Sequence, residues 1–181
     1  MSSDPYAAAW EGIGNGVFIG KVENVVDEDR IGQVQISLPW YASGYAEWAR
    51  VAQLYAGKGY GSTWIPEVGC EVLVTFAKGG DMSEPYVIGC LHSRTDPPPV
   101  SRTKSVDVKT LRTAAGSELR FDEGEGVIDL KTAGGASIRL EEKAGAITLT
   151  SKQTISLTAP KVSIGDKSAE VVITGKSVAI N

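Results

Sequence analysis

Apolar and polar positions alternate in short blocks from Leu119 to the last residue. Each block has two apolar side chains around a middle residue, polar in the first six, and a short polar turn follows it. The blocks are Leu119-Arg-Phe121, Ile128-Asp-Leu130, Ile138-Arg-Leu140, Ile147-Thr-Leu149, Ile155-Ser-Leu157, Val162-Ser-Ile164, Val171-Val-Ile173 and Val178-Ala-Ile180. Their starts are 9, 10, 9, 8, 7, 9 and 7 residues apart. In a strand, residues i and i+2 share a face, so each block predicts a strand with only two inward apolar side chains. Such strands are unstable alone and need an arrangement in which each covers the others. Two closures meet this need: one chain coiling on itself as a β-solenoid, or three chains forming a three-sided prism in which each unit hydrogen-bonds to the other two chains. Eight layers at ~4.8 Å give a shaft of roughly 38 Å in the second case. Periodicity alone does not choose between them. The first two long units align without a gap at an offset of 19, Ala114-Ala-Gly-Ser-Glu-Leu-Arg-Phe-Asp-Glu on Ala133-Gly-Gly-Ala-Ser-Ile-Arg-Leu-Glu-Glu.

The front half has a different pattern. Strand-like runs over Val17–Val26, Gly32–Leu38, Glu47–Leu54, Val68–Phe76 and Tyr86–Leu91 are separated by acidic, Gly and Pro-rich breaks. Five short strands with no convincing helix between them predict a small antiparallel barrel or sandwich. Before them, Asp4-Pro-Tyr-Ala-Ala-Ala-Trp10 reads as a short helix or ordered arm ended by Gly12, Gly14 and Gly16. Asp96-Pro-Pro-Pro-Val100 is a stiff spacer that offers few ladder donors. The expected organisation is an arm at 1–16, a barrel at 17–95, a linker and transition at 96–113, and a repeat domain at 114–181.

Composition narrows the function. Of 181 residues 42% are hydrophobic, enough for a packed core, and the net charge is −4. Residues 1–96 carry 12 acidic and 6 basic side chains, against 10 and 12 in 97–181. An acidic front half argues against nucleic-acid binding by phosphate neutralisation. No stretch approaches a membrane span of ~20 apolar residues, and no export signal is evident, so synthesis in a cytoplasm is expected. Cys70 and Cys90 fall on neighbouring strands, where free buried thiols are the favoured reading over a disulfide.

Candidate chemistry is sparse. His92, the only histidine, has no Cys/His cluster around it and reads as a strand-end residue, not a metal ligand. Asp27-Glu-Asp29 reads as a solvated turn; Asp122-Glu123 and Glu141-Glu142 recur as solvent-facing corners, not as a paired-carboxylate site. Gly12-x-Gly14-x-Gly16 fits neither phosphate-loop spacing. Trp10, Trp40, Trp48 and Trp64 lack a basic lining and are expected in the barrel core or at subunit interfaces. No catalytic residue, metal or cofactor is implied.

The order and spacing of Gly32-Gln-Val-Gln-Ile36, Trp48-Ala-Arg-Val51, Gly57 and Gly59, Ile65-Pro-Glu-Val-Gly-Cys-Glu-Val-Leu-Val-Thr-Phe76, Gly79-Gly-Asp81, Pro85-Tyr-Val-Ile-Gly89 and Pro97-Pro-Pro99 resembles the barrel of the gpV and VgrG group of phage-tail and contractile-injection spike proteins. The resemblance covers roughly residues 17–100. It implies an all-β protein, an oligonucleotide-binding (OB) type barrel followed by a trimeric intertwined β-helix, in which Leu119, Phe121, Ile128, Leu130, Ile138, Leu140, Ile147, Leu149, Ile155, Leu157, Val162, Ile164, Val171 and Ile173 form the trimer core. It further implies a structural, non-enzymatic homotrimeric spike of a tail or injection particle, joined to hub and baseplate proteins at its barrel and touching a target membrane only on firing. Cys70 stands where such proteins often carry Asp. With about 18 residues between barrel and shaft, the lysozyme domain of some relatives is not expected. The ending Lys176-Ser-Val-Ala-Ile-Asn181 lacks the iron-binding His-x-His apex of others. A blunt end with Val178, Ile180 and Asn181 exposed predicts a separate PAAR-type cap protein bound there by strand addition.

Overall fold

The computed structural model describes residues 16–26, 28, 32–41, 44–77, 80–101, 106–165 and 168–177. The expected N-terminal arm up to residue 15, Asp27 and Asp29, and the expected tip Val178, Ile180 and Asn181 lie outside the described residues. The chain divides into two compact units, Met1–Pro98 and Pro99–Asn181, at the proline run.

In the first unit, strands β1 (Phe18–Asn24), β2 (Gln33–Ser37), β3 (Glu47–Val51), the two-residue hairpin β4 (Ala56–Gly57) and β5 (Tyr60–Gly61), β6 (Glu71–Phe76) and β7 (Pro85–Leu91) follow one another. Five of them close into a barrel in the order β1-β2-β3-β7-β6. The pairings are antiparallel except β3 with β7, where Arg50 faces Tyr86 and Val51 faces Val87. Closure removes sheet edges, and alternation then sends every second side chain inward. Val22, Val34, Ile36, Ala49, Val72 and Val74 are fully buried, with Val87 1% exposed. Gly20 allows β1 to cross this core, because a Cβ there would sit 2.8 Å from Val74 Cγ2 and 3.1 Å from the Ser37 carbonyl.

Aromatic side chains gather at the barrel rim. Phe18 stacks on Trp40 at 4.7 Å, and Tyr45 meets Tyr41 edge-on at 5.7 Å. The Tyr45 hydroxyl donates to the Met82 carbonyl at 2.8 Å. Burial, reinforced by Glu47 and Tyr41, pushes its ionisation well above the usual phenol range. The barrel-core expectation is corrected for Trp40 and Trp64, which are 46% and 54% exposed, while Trp48 is half-buried. A five-strand barrel filled by valines leaves no room for an indole. Cys70 and Cys90 are free thiols, but the expectation that they are buried is corrected: Cys70 is partly buried and Cys90 exposed, and partial desolvation, with Cys70 and Glu67 nearby, raises the Cys90 pKa. His92 is exposed just beyond β7.

The second unit is an up-and-down sheet of β8 (Val108–Arg112), β9 (Glu118–Asp122), β10 (Val127–Lys131), β11 (Ser137–Glu141) and β12 (Ala146–Thr150), paired in sequence order. The first four blocks are the centres of β9 to β12. The gapless repeat becomes a repeated turn: the Thr113 and Thr132 N–H groups donate to the Ser117 and Ala136 carbonyls at 2.9 Å each. The hydroxyls of the same threonines accept from the N–H groups of Ser117 and Ala136 at 3.1 Å each. Gly116 and Gly135 take the left-handed conformation this turn requires, with φ of 91° and 92°.

Over residues 108–150 the ladders of the single chain run between consecutive strands, because turns this short return each strand beside its predecessor, so the chain does not coil on itself as a solenoid there. Beyond Thr150 the pattern differs. Among the described residues, the blocks beginning at Ile155, Val162 and Val171 form no strand, and their flanking apolar residues are 48–67% exposed.

The polar face of this sheet carries ion pairs: Arg120 Nη2 to Asp122 Oδ2 at 2.7 Å, and Arg139 to Asp129 at 2.9 Å and to Glu141 at 3.3 Å. The hydrogen bond from Arg120, aided by the Glu125 N–H, holds the Asp122 carboxyl below the ordinary carboxylate range.

Two outcomes are expected. Ile36→Ala should destabilise the barrel by about 2–5 kcal/mol. Denaturation followed by tryptophan fluorescence checks this, since all four tryptophans lie at or before position 64. Because the Asp122 pKa is lowered on folding, its carboxylate stabilises the sheet above the ordinary carboxylate pKa, and that contribution is lost as pH falls through the depressed value. An NMR titration should place the Asp122 midpoint below that of a free aspartate, and Arg120→Gln should raise it.

Candidate assembly surface

Register fixes which side chains share a face. On one side of the sheet, Phe121 lies opposite Ile128, Ile128 opposite Leu140, and Leu140 opposite Ile147. A second row runs from Leu111 through Leu119, Leu130 and Ile138 to Leu149. The middle residues, Arg120, Asp129, Arg139 and Thr148, take the other side. Eight of the residues expected in a trimer core are thus brought together on one continuous surface.

That surface is open in the single chain. Phe121, Ile128, Ile138 and Leu140 are about two-fifths exposed, Leu130 and Leu149 about half, and Ile147 73%. A groove of about 680 Å³ follows the Phe121 row and is bounded by Glu123 and Glu142. A monomeric protein rarely leaves so large an apolar surface in water. Apart from Lys109 at one end its rows are apolar, and among the described residues no group of three or more candidate metal ligands occurs. What the surface can do chemically is be covered.

The other expected core residues are placed differently. Ile155, Leu157, Val162, Ile164, Val171 and Ile173 continue the apolar pattern but do not extend the sheet of the single chain. Two residues of the surface escape the block pattern: Lys109 and Leu111 of β8. The signal is present as the triplet Lys109-Thr-Leu111, whose first apolar position holds a lysine. Lys109 lies opposite Phe121 and is neutralised by an ion pair with Glu123.

Comparison with known proteins places each unit. A family model described as the type VI secretion system/phage-baseplate injector OB domain matches residues 18–92. Another, the phage baseplate V C-terminal trimerisation domain, matches residues 109–168. The chain is similar to the type VI secretion system spike protein VgrG4b of Pseudomonas aeruginosa, 38% identical over 110 residues, 54% of this chain and 13% of that protein. It is also similar to VgrG5 of the same organism, 36% identical over 126 residues (64% of this chain, 16% of that protein). VgrG3 of Vibrio cholerae is 36% identical over 108 residues (54% and 10%). The chain therefore spans no more than about a sixth of the length of these curated relatives. With the closed barrel and the open sheet each falling on its own family match, and the two matches together spanning well over half of the sequence, the chain belongs to the gpV/VgrG-like family.

Proposed function

We propose that three copies of this chain form the structural central spike of a contractile tail or injection baseplate. The observation that carries the reading is the continuous apolar face of β8–β12, exposed in one chain and lying within the match to a trimerisation domain. Three such sheets with their apolar faces inward make a closed prism whose ion-paired faces meet water. The blocks after Thr150, which have no ladder in one chain, find their hydrogen-bond partners in the other two. Shafts of this kind separate only by breaking many hydrogen bonds together, which gives them kinetic stability.

In this role the barrel is the collar that meets the hub and baseplate below the tube, and the shaft is driven into the target envelope on sheath contraction. The work is mechanical and non-enzymatic. The chain is made in a bacterial cytoplasm and ends in the assembled particle. Val178, Ile180 and Asn181 form the tip surface that a PAAR-type cap covers by strand addition.

Ile147→Asp tests the inward face. It places three charges per trimer in an apolar interior, each costing several kcal/mol. The expected outcome by native mass spectrometry is loss of the trimer, with barrel tryptophan fluorescence unchanged; an intact trimer overturns the inward assignment. Binding of a cognate PAAR-type protein to the purified chain, lost on removal of residues 178–181, tests the tip.

A further inference from the structure

The two edges of the β8–β12 sheet carry opposite charge. At one edge, the turns after β9 and β11 present Glu123, Glu125 and Glu142, all exposed. At the other, Arg112 and Lys131 end β8 and β10, and Lys152 follows β12; these too are exposed. The counter-charges within each edge are fewer. On the acidic edge Lys109 pairs with Glu123, and Lys143 reaches Glu125 at 3.4 Å and the Gly124 carbonyl at 3.2 Å. On the basic edge Glu118 accepts a hydrogen bond from the Thr110 hydroxyl at 2.6 Å. Among the described residues no ion pair engages Glu142, Arg112, Lys131 or Lys152.

The geometry points to a second copy of this chain as the occupant of each edge: the acidic edge of one sheet meets the basic edge of the next, and this pairing sets all three shafts parallel. The inference rests on the trimer reading above. In a cyclic trimer with apolar faces inward, rotation about the axis always brings one sheet's left edge to its neighbour's right edge, a head-to-tail contact that closes after three copies. Acidic and basic turns then lie within about one strand spacing of each other, ~4.8 Å. Inverting one sheet, with its apolar face still inward, exchanges its edges. One corner then joins acid to acid and another base to base. Within β8–β12 apolar burial is nearly the same in both arrangements, since both rows are apolar apart from Lys109 at the end of one, so in this part of the shaft the edge charges are what separates them, alongside the interchain ladders proposed beyond Thr150. A spike needs that separation, because one inverted chain would put its tip at the wrong end.

Trimer assembly after dilution from denaturant, followed by light scattering on the full chain, tests the pairing. Wild type should assemble about tenfold or more slowly in ~1 M NaCl than in ~0.02 M, because salt screens exposed charges. Lys131→Glu with Lys152→Glu makes both edges acidic, and Glu125→Lys with Glu142→Lys makes both basic. Each pair should slow low-salt assembly by about tenfold or more. The four changes together exchange the edges and should restore the wild-type rate. Barrel tryptophan fluorescence, native in every variant, assigns any loss to the shaft. Wild-type rates in either two-site variant, or a four-site variant as slow as its parents, overturn the edge pairing and leave the trimer standing. A wild-type chain that stays monomeric overturns the trimer reading, and the edge pairing with it.

Discussion

An apolar sheet face cannot remain in water, and the rest of this molecule depends on that constraint. A strand has two faces, and in β8–β12 one carries arginine, aspartate and threonine while the other carries leucine, isoleucine and phenylalanine. The polar face satisfies itself through Arg120–Asp122 and the Arg139 pairs. The apolar face has no such option. Fully burying a side chain of this kind contributes about 1.5–3 kcal/mol, so covering the exposed part of nine of them is worth on the order of 10 kcal/mol per chain. That is comparable to the whole stability of a small domain.

The two units solve the edge and face problems in opposite ways. The barrel closes on itself, so its valine-rich interior is covered by its own strands and no ladder is left open. The sheet leaves one face exposed, and among the described residues the blocks after Thr150 form no strand in the single chain.

Much of this was legible in the residues, for identifiable reasons. The blocks at Leu119, Ile128, Ile138 and Ile147 lie in β9 to β12 because their period-two alternation is joined by short turns that return each strand beside its predecessor, whereas the blocks at Ile155, Val162 and Val171 alternate in the same way and form no strand in the single chain. Each of the barrel runs overlaps one of the five closing strands. β8 was hidden by one side chain, Lys109, in the first apolar position of its triplet. The choice between intrachain and interchain ladders was hidden for a deeper reason: alternation is identical in both. What decides is the turn, and the Thr113–Ser117 and Thr132–Ala136 turns are short and hydrogen-bonded enough to return the strand within one chain. Of the two places expected for Trp40 and Trp64, the barrel core is excluded by their exposure, which leaves the subunit interface.

The most direct test of the central claim, that the apolar face of β8–β12 is covered by two further copies of the same chain, is the mass of the purified protein by light scattering. The account predicts a single species of three times 19.1 kDa, stable on dilution. A monomer at every concentration, with the apolar rows still in water, would contradict it.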